Sequence, residues 1–311
     1  MVSRNQNCSL LLAYFRELLF KASLIGLATG LAFAPSQALA QVPPSAPAVT
    51  NPNLQIPPRD WAVVATTRTL DNIHHQEPYF RFRIHIIDAK NDRVRDIIES
   101  RDGNVARLIM LRGKPLSPEE DAAERERLSD MLKDPAAFAK HAKGDEAGKK
   151  IADQLIRLMP DAMTYTYVPG QPQTGRNPGI AEVVLDYEPN PKFHPPTTTA
   201  EALTGLKGRA WIDPKSKQII RMEGTIFKGI NFGWGMLAHI YPGGTLAYEQ
   251  SEIGNGRWSY TRFVERISVR ALMVKSLNIN SDIDCTNFQP VPAMSYQEAV
   301  RLLLDTPLPT K

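Results

Sequence analysis

Cysteine is almost absent from this 311-residue sequence, which holds only Cys8 and Cys285. Cys8 precedes an apolar run near the N-terminus that is expected to be removed, leaving Cys285 without an internal disulfide partner. A buried lone thiol is favoured over an intermolecular bridge. An excess of charge of one sign is missing too. The chain has 37 basic and 33 acidic residues, and removal of residues 1–40 leaves 34 and 32. No basic run exceeds two residues, so charge gives nucleic-acid binding no support. The apolar run at 22–34 is 13 residues long, short of the roughly 20 needed to span a bilayer. Catalytic signatures are also lacking: there is no G-x-S-x-G elbow and no H-E-x-x-H pair.

What is present at the N-terminus has the order of an export signal. Arg4, Arg16 and Lys21 form a basic start, the uncharged run 22–34 follows, then Pro35 and the small-residue end Ala38-Leu39-Ala40. Cleavage after Ala40 is expected, giving a periplasmic protein without stable membrane insertion. An uncleaved anchor would bury Arg16, Glu17 and Lys21, at about 2.5–3.5 kcal/mol for a basic side chain at a helix centre. Residues 41–58 contain six prolines in 18 positions and are expected to be a partly extended tether. A single domain over 59–311 follows.

Within that domain, Phe80, Phe82, Ile84 and Ile86 alternate with Arg81, Arg83 and His85, the period of a strand with one buried face. Further strands are expected at 93–100, 105–111, 181–187, 218–227, 245–253 and, as a long pair, 257–274. Asp102-Gly103 and Asn255-Gly256 have the composition of tight hairpin turns. Apart from a short stretch near 234–240, no helical period separates the later strands, and a parallel sheet would need crossover segments. The fold class is therefore α+β, built on an antiparallel meander.

A helical insertion interrupts it at 116–160. Ser117-Pro118-Glu119-Glu120 is a capping box that opens a charged helix to 133. Asp134-Pro135 breaks it, and a second helix over 145–159 carries Ile151, Leu155, Ile156 and Met159 as an apolar stripe. A solvated helix resting on the sheet and a lid over a cavity are both compatible with the insertion. Ser295-Tyr296-Gln297-Glu298 opens a short C-terminal helix.

Candidate chemistry is sparse. The stretch 233–238 fits G-x-G-x-x-A, but it has no βαβ context, so chance outweighs a dinucleotide site. His74-His75 lack a third metal ligand in register and are expected in a loop. Asn278, Asn280, Asp282 and Asp284 recur at period two. An exposed polar edge strand is weighed ahead of a calcium site. Glu249 with Glu252, or Glu223 with Glu265, would make an acid–base pair only if the fold brought them together. No catalytic residue, metal or cofactor is assigned. The apolar stretch around Phe232-Gly233-Trp234-Gly235-Met236-Leu237 is either core or the lining of a concave apolar site.

Trp211–Gly224, Phe232–Gly244 and Tyr248–Trp258, with Gly113–Glu120 and Val183–Pro196, resemble exported bacterial proteins grouped with outer-membrane lipoprotein-sorting (LolA/LolB-like) proteins. The resemblance spans roughly residues 79–290. It implies a strongly curved antiparallel sheet, an open half-barrel with helices on the concave side, and a cavity for acyl chains. The function it implies is a non-enzymatic binder or carrier of a lipid-like ligand, with lipid or lipoprotein acyl chains as partners. The alternative is a periplasmic sensor or scaffold that binds another protein through the sheet; an enzyme is the third reading. If a ligand is sheltered, the lining is expected from Phe80, Phe82, Ile84, Val183, Leu185, Phe232, Trp234 and Met236.

Overall fold

The computed structural model describes residues 51–309 except Gln76, Lys90, 177–178, 234–236 and 272–274. The export signal, the tether up to residue 50, and Trp234 and Met236 therefore lie outside the described residues. In chain order the elements are α1 (Pro58–His74), β1 (Tyr79–Asp88), β2 (Asp92–Ser100), β3 (Gly103–Leu111), β4 (Lys114–Pro115), α2 (Pro118–Lys133) and α3 (Pro135–Ala162). Next come β5 (Met163–Tyr167), β6 (Val183–Pro189), β7 (Leu206–Ile212), β8 (Ile219–Ile226), β9 (Ile230–Phe232) and β10 (Ala238–Ile240). The chain ends with β11 (Thr245–Gly254), β12 (Arg257–Ala271), β13 (Lys275–Val291) and α4 (Tyr296–Asp305).

All strand pairs are antiparallel, in the order β4-β3-β2-β1-β13-β12-β11-β8-β7-β6-β5, with β10 on β12 and β9 on β10. The end strands β4 and β5 do not pair with each other, so the sheet is open. It is also curved: one cavity takes lining residues from β3 at one end and from β5 at the other. Register shifts in the β1–β13, β2–β3, β7–β8 and β11–β12 pairs supply local bends. Gly208 and Gly224 face each other across β7 and β8, where a Cβ on Gly208 would stand 1.9 Å from the Glu223 carbonyl oxygen. Only glycine fits that approach.

Several expectations change. At the first hairpin the loop residues are Arg101 and Asp102, and Gly103 opens β3 with φ 127°. Asn255 and Gly256 do occupy the centre of their turn, with φ 53° and 75°. Residues 257–271 form the single strand β12 instead of a pair, and 238–240 are strand β10. Asp282 and Asp284 are not on an edge: they lie where β13 is flanked by both β1 and β12, and they pair with Arg266 and Arg262 at 2.8 and 2.9 Å, whereas Asn278 and Asn280 lie beyond the end of β1 and pair with β12 alone. The second insertion helix starts ten residues early, because Asp134 caps it by accepting from the Ala136 amide and Pro135 is its first residue.

The tether is also shorter than expected. Residues Pro52–Gln55 form a 3-10 turn, and α1 begins at Pro58. Trp61 holds these pieces together by donating its Nε1–H to the Asn53 carbonyl at 2.9 Å, while Lys217 sits 4.4 Å over its ring.

The helices divide between the two faces of the sheet. Ile97 pairs with Phe82, which faces the cavity, so Ile98 points outward by strand alternation. Ile98 and Val105 pack there with Leu128, Phe138, Tyr296, Val300 and Leu303. Helix α4 therefore covers the outer face, not the concave one. Its C-terminus is held by buried Arg107, which donates to the Leu303 and Thr306 carbonyls and pairs with Asp121 at 2.8 Å. Helix α1 and the C-terminal part of α3 from Lys149 on take the concave side, while the first turns of α3, with Phe138, pack with the outer-face cluster.

Candidate functional site

Ala62, Ala65, Thr66, Thr69 and Ile73 recur at helical spacing and turn one face of α1 toward the sheet. Lys149, Ala152, Ile156 and Met159 do the same on α3. Opposite them, alternation presents Leu185 and Tyr187 from β6, Ala210 and Ile212 from β7, and Tyr248 and Gln250 from β11. Alanine at 62, 65, 152 and 210 leaves space that larger side chains would occupy. The result is a mostly apolar cavity of about 430 Å³ between the helices and the curved sheet, within the ~300–1,000 Å³ typical of small-molecule sites.

Its polar groups mostly have partners. The Tyr165 hydroxyl donates to the Met159 carbonyl and the Tyr187 hydroxyl to the Glu223 carbonyl, at 2.9 and 2.8 Å, so their rings form wall. Tyr248 donates to Gln250 Oε1, Gln250 Nε2 to Gln218 Oε1 and Asn72 Nδ2 to the same oxygen, which ties α1 to the sheet. Burial raises the phenol pKa of Tyr165, Tyr187 and Tyr248, so these hydroxyls stay neutral. Arg257 and Glu99 make a bidentate pair, both bonds 2.7 Å, and Glu99 also accepts from the Phe80 amide. Asn104 Oδ1 is buried without a hydrogen-bond partner.

The sequence-derived candidates fall in different places. Phe82 and Leu185 line the cavity. Phe80 is buried elsewhere, with the Arg257 guanidinium 5.6 Å from its ring centre, and Ile84 is half-buried on β1 outside the lining. Val183 packs against Trp61 and Ala65 behind the lining. Phe232 is not at the cavity: it belongs to a separate cluster with Ile226, Ile267, Val269 and Ile279, because β10 and then β9 continue the sheet beside the far end of β12, beyond the residues that β11 pairs. The sequence reading missed the whole contribution of α1, together with Lys149, Glu99 and Arg257. The spacing 62, 65, 66, 69 and 73 was the available signal.

The other candidate chemistry is scattered. His74 closes α1 instead of lying in a loop, with Nε2 2.7 Å from Asp153 Oδ1 on α3. Glu223 pairs in register with Ala247 and Glu265 with Leu246, so these carboxylates point to opposite faces and cannot act together. Glu249 lies against Arg176 and Arg221, and Glu252 accepts from the Gly256 amide. The G-x-G-x-x-A stretch begins in the turn of an antiparallel hairpin, with Gly233 at φ 55°. Cys285 is free and buried; burial pushes its thiol up to about 12, which keeps it protonated.

No family model matches the sequence, and no curated protein matches it. Among solved structures the chain is similar to a DUF1329 family protein from Desulfovibrio piger ATCC 29098, at 12% identity. The match covers 79% of this chain and 99% of that one, with a TM-score of 0.28.

Proposed function

We propose that this protein is a periplasmic, non-catalytic binder or carrier of a lipid-like ligand, as the resemblance to lipoprotein-sorting carriers implies. The observation that supports it is the cavity of about 430 Å³ under α1 and α3, walled by Ile156, Met159, Leu185, Ile212, Met222 and Phe263. Apolar surface facing an enclosed space gains roughly 25 cal/mol per Å² when an apolar chain covers it. Water placed there would find few unpartnered polar groups. The export-signal pattern at 1–40 supports the compartment.

Native mass spectrometry of protein purified from the periplasm tests this. The expected result is a chain beginning at Gln41 that carries one lipid adduct, removable by organic extraction. A lipid-free chain with a stoichiometric protein partner would replace this reading with the scaffold one. Recovery of the full-length chain in the inner membrane would contradict the periplasmic assignment.

A further inference from the structure

We infer that the helical insertion carries a mock strand: Glu124, Arg127 and His141 occupy the free edge of β3 and keep it from pairing with the β3 of a second copy. This role holds whatever the cavity binds. Ser100 and Gly103 close the first hairpin as a pair. Alternation therefore aims the backbone groups of Gly103, Val105 and Arg107 at β2, and those of Asn104, Ala106 and Leu108 away from it. On that side β3 has only the two-residue β4, which pairs with Met110 and Leu111. Residues 104–108 would otherwise be a bare sheet edge.

Side chains of the insertion supply the partners. The Leu108 amide donates to Glu124 Oε1 at 2.7 Å, and the Ala106 carbonyl accepts from Arg127 Nη2 at 2.6 Å. His141 Nε2 stands 3.1 Å from the Asn104 carbonyl oxygen. Donors and an acceptor thus stand where a neighbouring strand would present its own. Glu124 and Arg127, three apart on α2, also bond each other at 2.8 and 2.7 Å, so their charges cancel. Further along the edge, Pro115 ends β4 and has no N–H to offer.

A helix laid over a strand edge must satisfy the groups that it covers. Here that is done with a Glu124 that is only 9% exposed. A buried ion pair stabilises a fold no better than apolar side chains of similar volume. What the pair does achieve is to occupy groups that would otherwise template another strand.

The strand excluded is a second β3, because this edge is self-complementary. Two such edges run antiparallel about Ala106 set Asn104 of each copy opposite Leu108 of the other, and every outward amide meets a carbonyl. That arrangement closes on a two-fold axis. Residues 104–110, Asn-Val-Ala-Arg-Leu-Ile-Met, hold a single charge and no proline, the composition of a segment prone to strand pairing.

Sedimentation velocity over a concentration series tests this. Glu124→Ala/Arg127→Ala empties the cap without changing net charge, and this variant is expected to approach twice the wild-type mass as concentration rises. Adding Ala106→Pro should restore the wild-type mass, because that N–H faces the edge and is not used by β2. A folded double variant that keeps the wild-type mass overturns the inference. So does association that survives Ala106→Pro, which would place the contact elsewhere. If the double variant does not fold, Arg127→Met, which frees only the Ala106 carbonyl, gives the same comparison. Amide exchange on the wild type provides an independent reading. Leu108 should be protected as well as Val105 and Arg107, and rapid exchange at Leu108 alone would overturn the cap.

Discussion

Glu265 is the residue whose surroundings fit its charge least. It is 6% exposed, its Oε2 has no hydrogen-bond partner, and burial pushes its carboxyl up to about 8. Ser281, its cross-strand neighbour on β13, also has a buried hydroxyl oxygen without a partner. Because the folded value lies above the ordinary carboxylate value, the folded state holds this proton where the unfolded chain has released it. Stability associated with Glu265 is therefore fully present below about 4.5 and is lost as pH rises toward about 8. Glu265→Gln keeps the shape and removes the titration. Urea unfolding at pH 5 and pH 8 should show the wild type losing on the order of a few kcal/mol relative to the variant. Parallel pH profiles for the two proteins would show that the carboxyl is compensated in the fold.

At the scale of elements, α4 is the clearest stabilising unit. Its capping box, with Ser295 and Glu298 satisfying each other's backbone amides, starts the helix, and Leu303 is fully buried against β2, β3 and α2. Leu303→Ala should cost about 2–5 kcal/mol in equilibrium unfolding. A loss below 1 kcal/mol would mean that α4 is only loosely docked.

Both capping boxes were legible in the sequence because each uses local residues in a fixed order. The strand alternation of β1 and the Asn255-Gly256 turn were legible for the same reason. Helix α1 was not. Six of its 17 residues are β-branched, including adjacent Val63-Val64 and Thr66-Thr67, and prolines precede it. Intrinsic propensity therefore argues against a helix that docking of Trp61 and Ala65 nevertheless stabilises. Asp134-Pro135 shows a different limit. The pair ends α2 and also caps α3, and a boundary signal does not announce that the next helix begins at once. The polar period 278–284 marked an edge only in part: Asn278 and Asn280 lie beyond the end of β1, but Asp282 and Asp284 lie inside the sheet, where arginines on β12 satisfy them.

At the scale of the whole molecule, the cavity is a product of long-range assembly. Its wall joins α1, α3 and strands from β1 to β12, and the largest local contributions, from α1 and β12, are far apart in the sequence. Phe82 and Leu185 could be named from alternation alone, whereas Lys149 and the small residues that leave the space open could not. An alanine in a sequence does not reveal whether its neighbours fill the gap. The central claim is that this space takes up an apolar chain. Ala152→Trp, which places a large side chain into the cavity from α3, tests it most directly when titrated beside the wild type with the methyl ester of cis-parinaric acid. The account predicts saturable one-to-one binding to the wild type and at least a tenfold loss in the variant, with an unchanged unfolding midpoint. Absence of saturable binding to the wild type, or full binding by a folded Ala152→Trp protein, would contradict it.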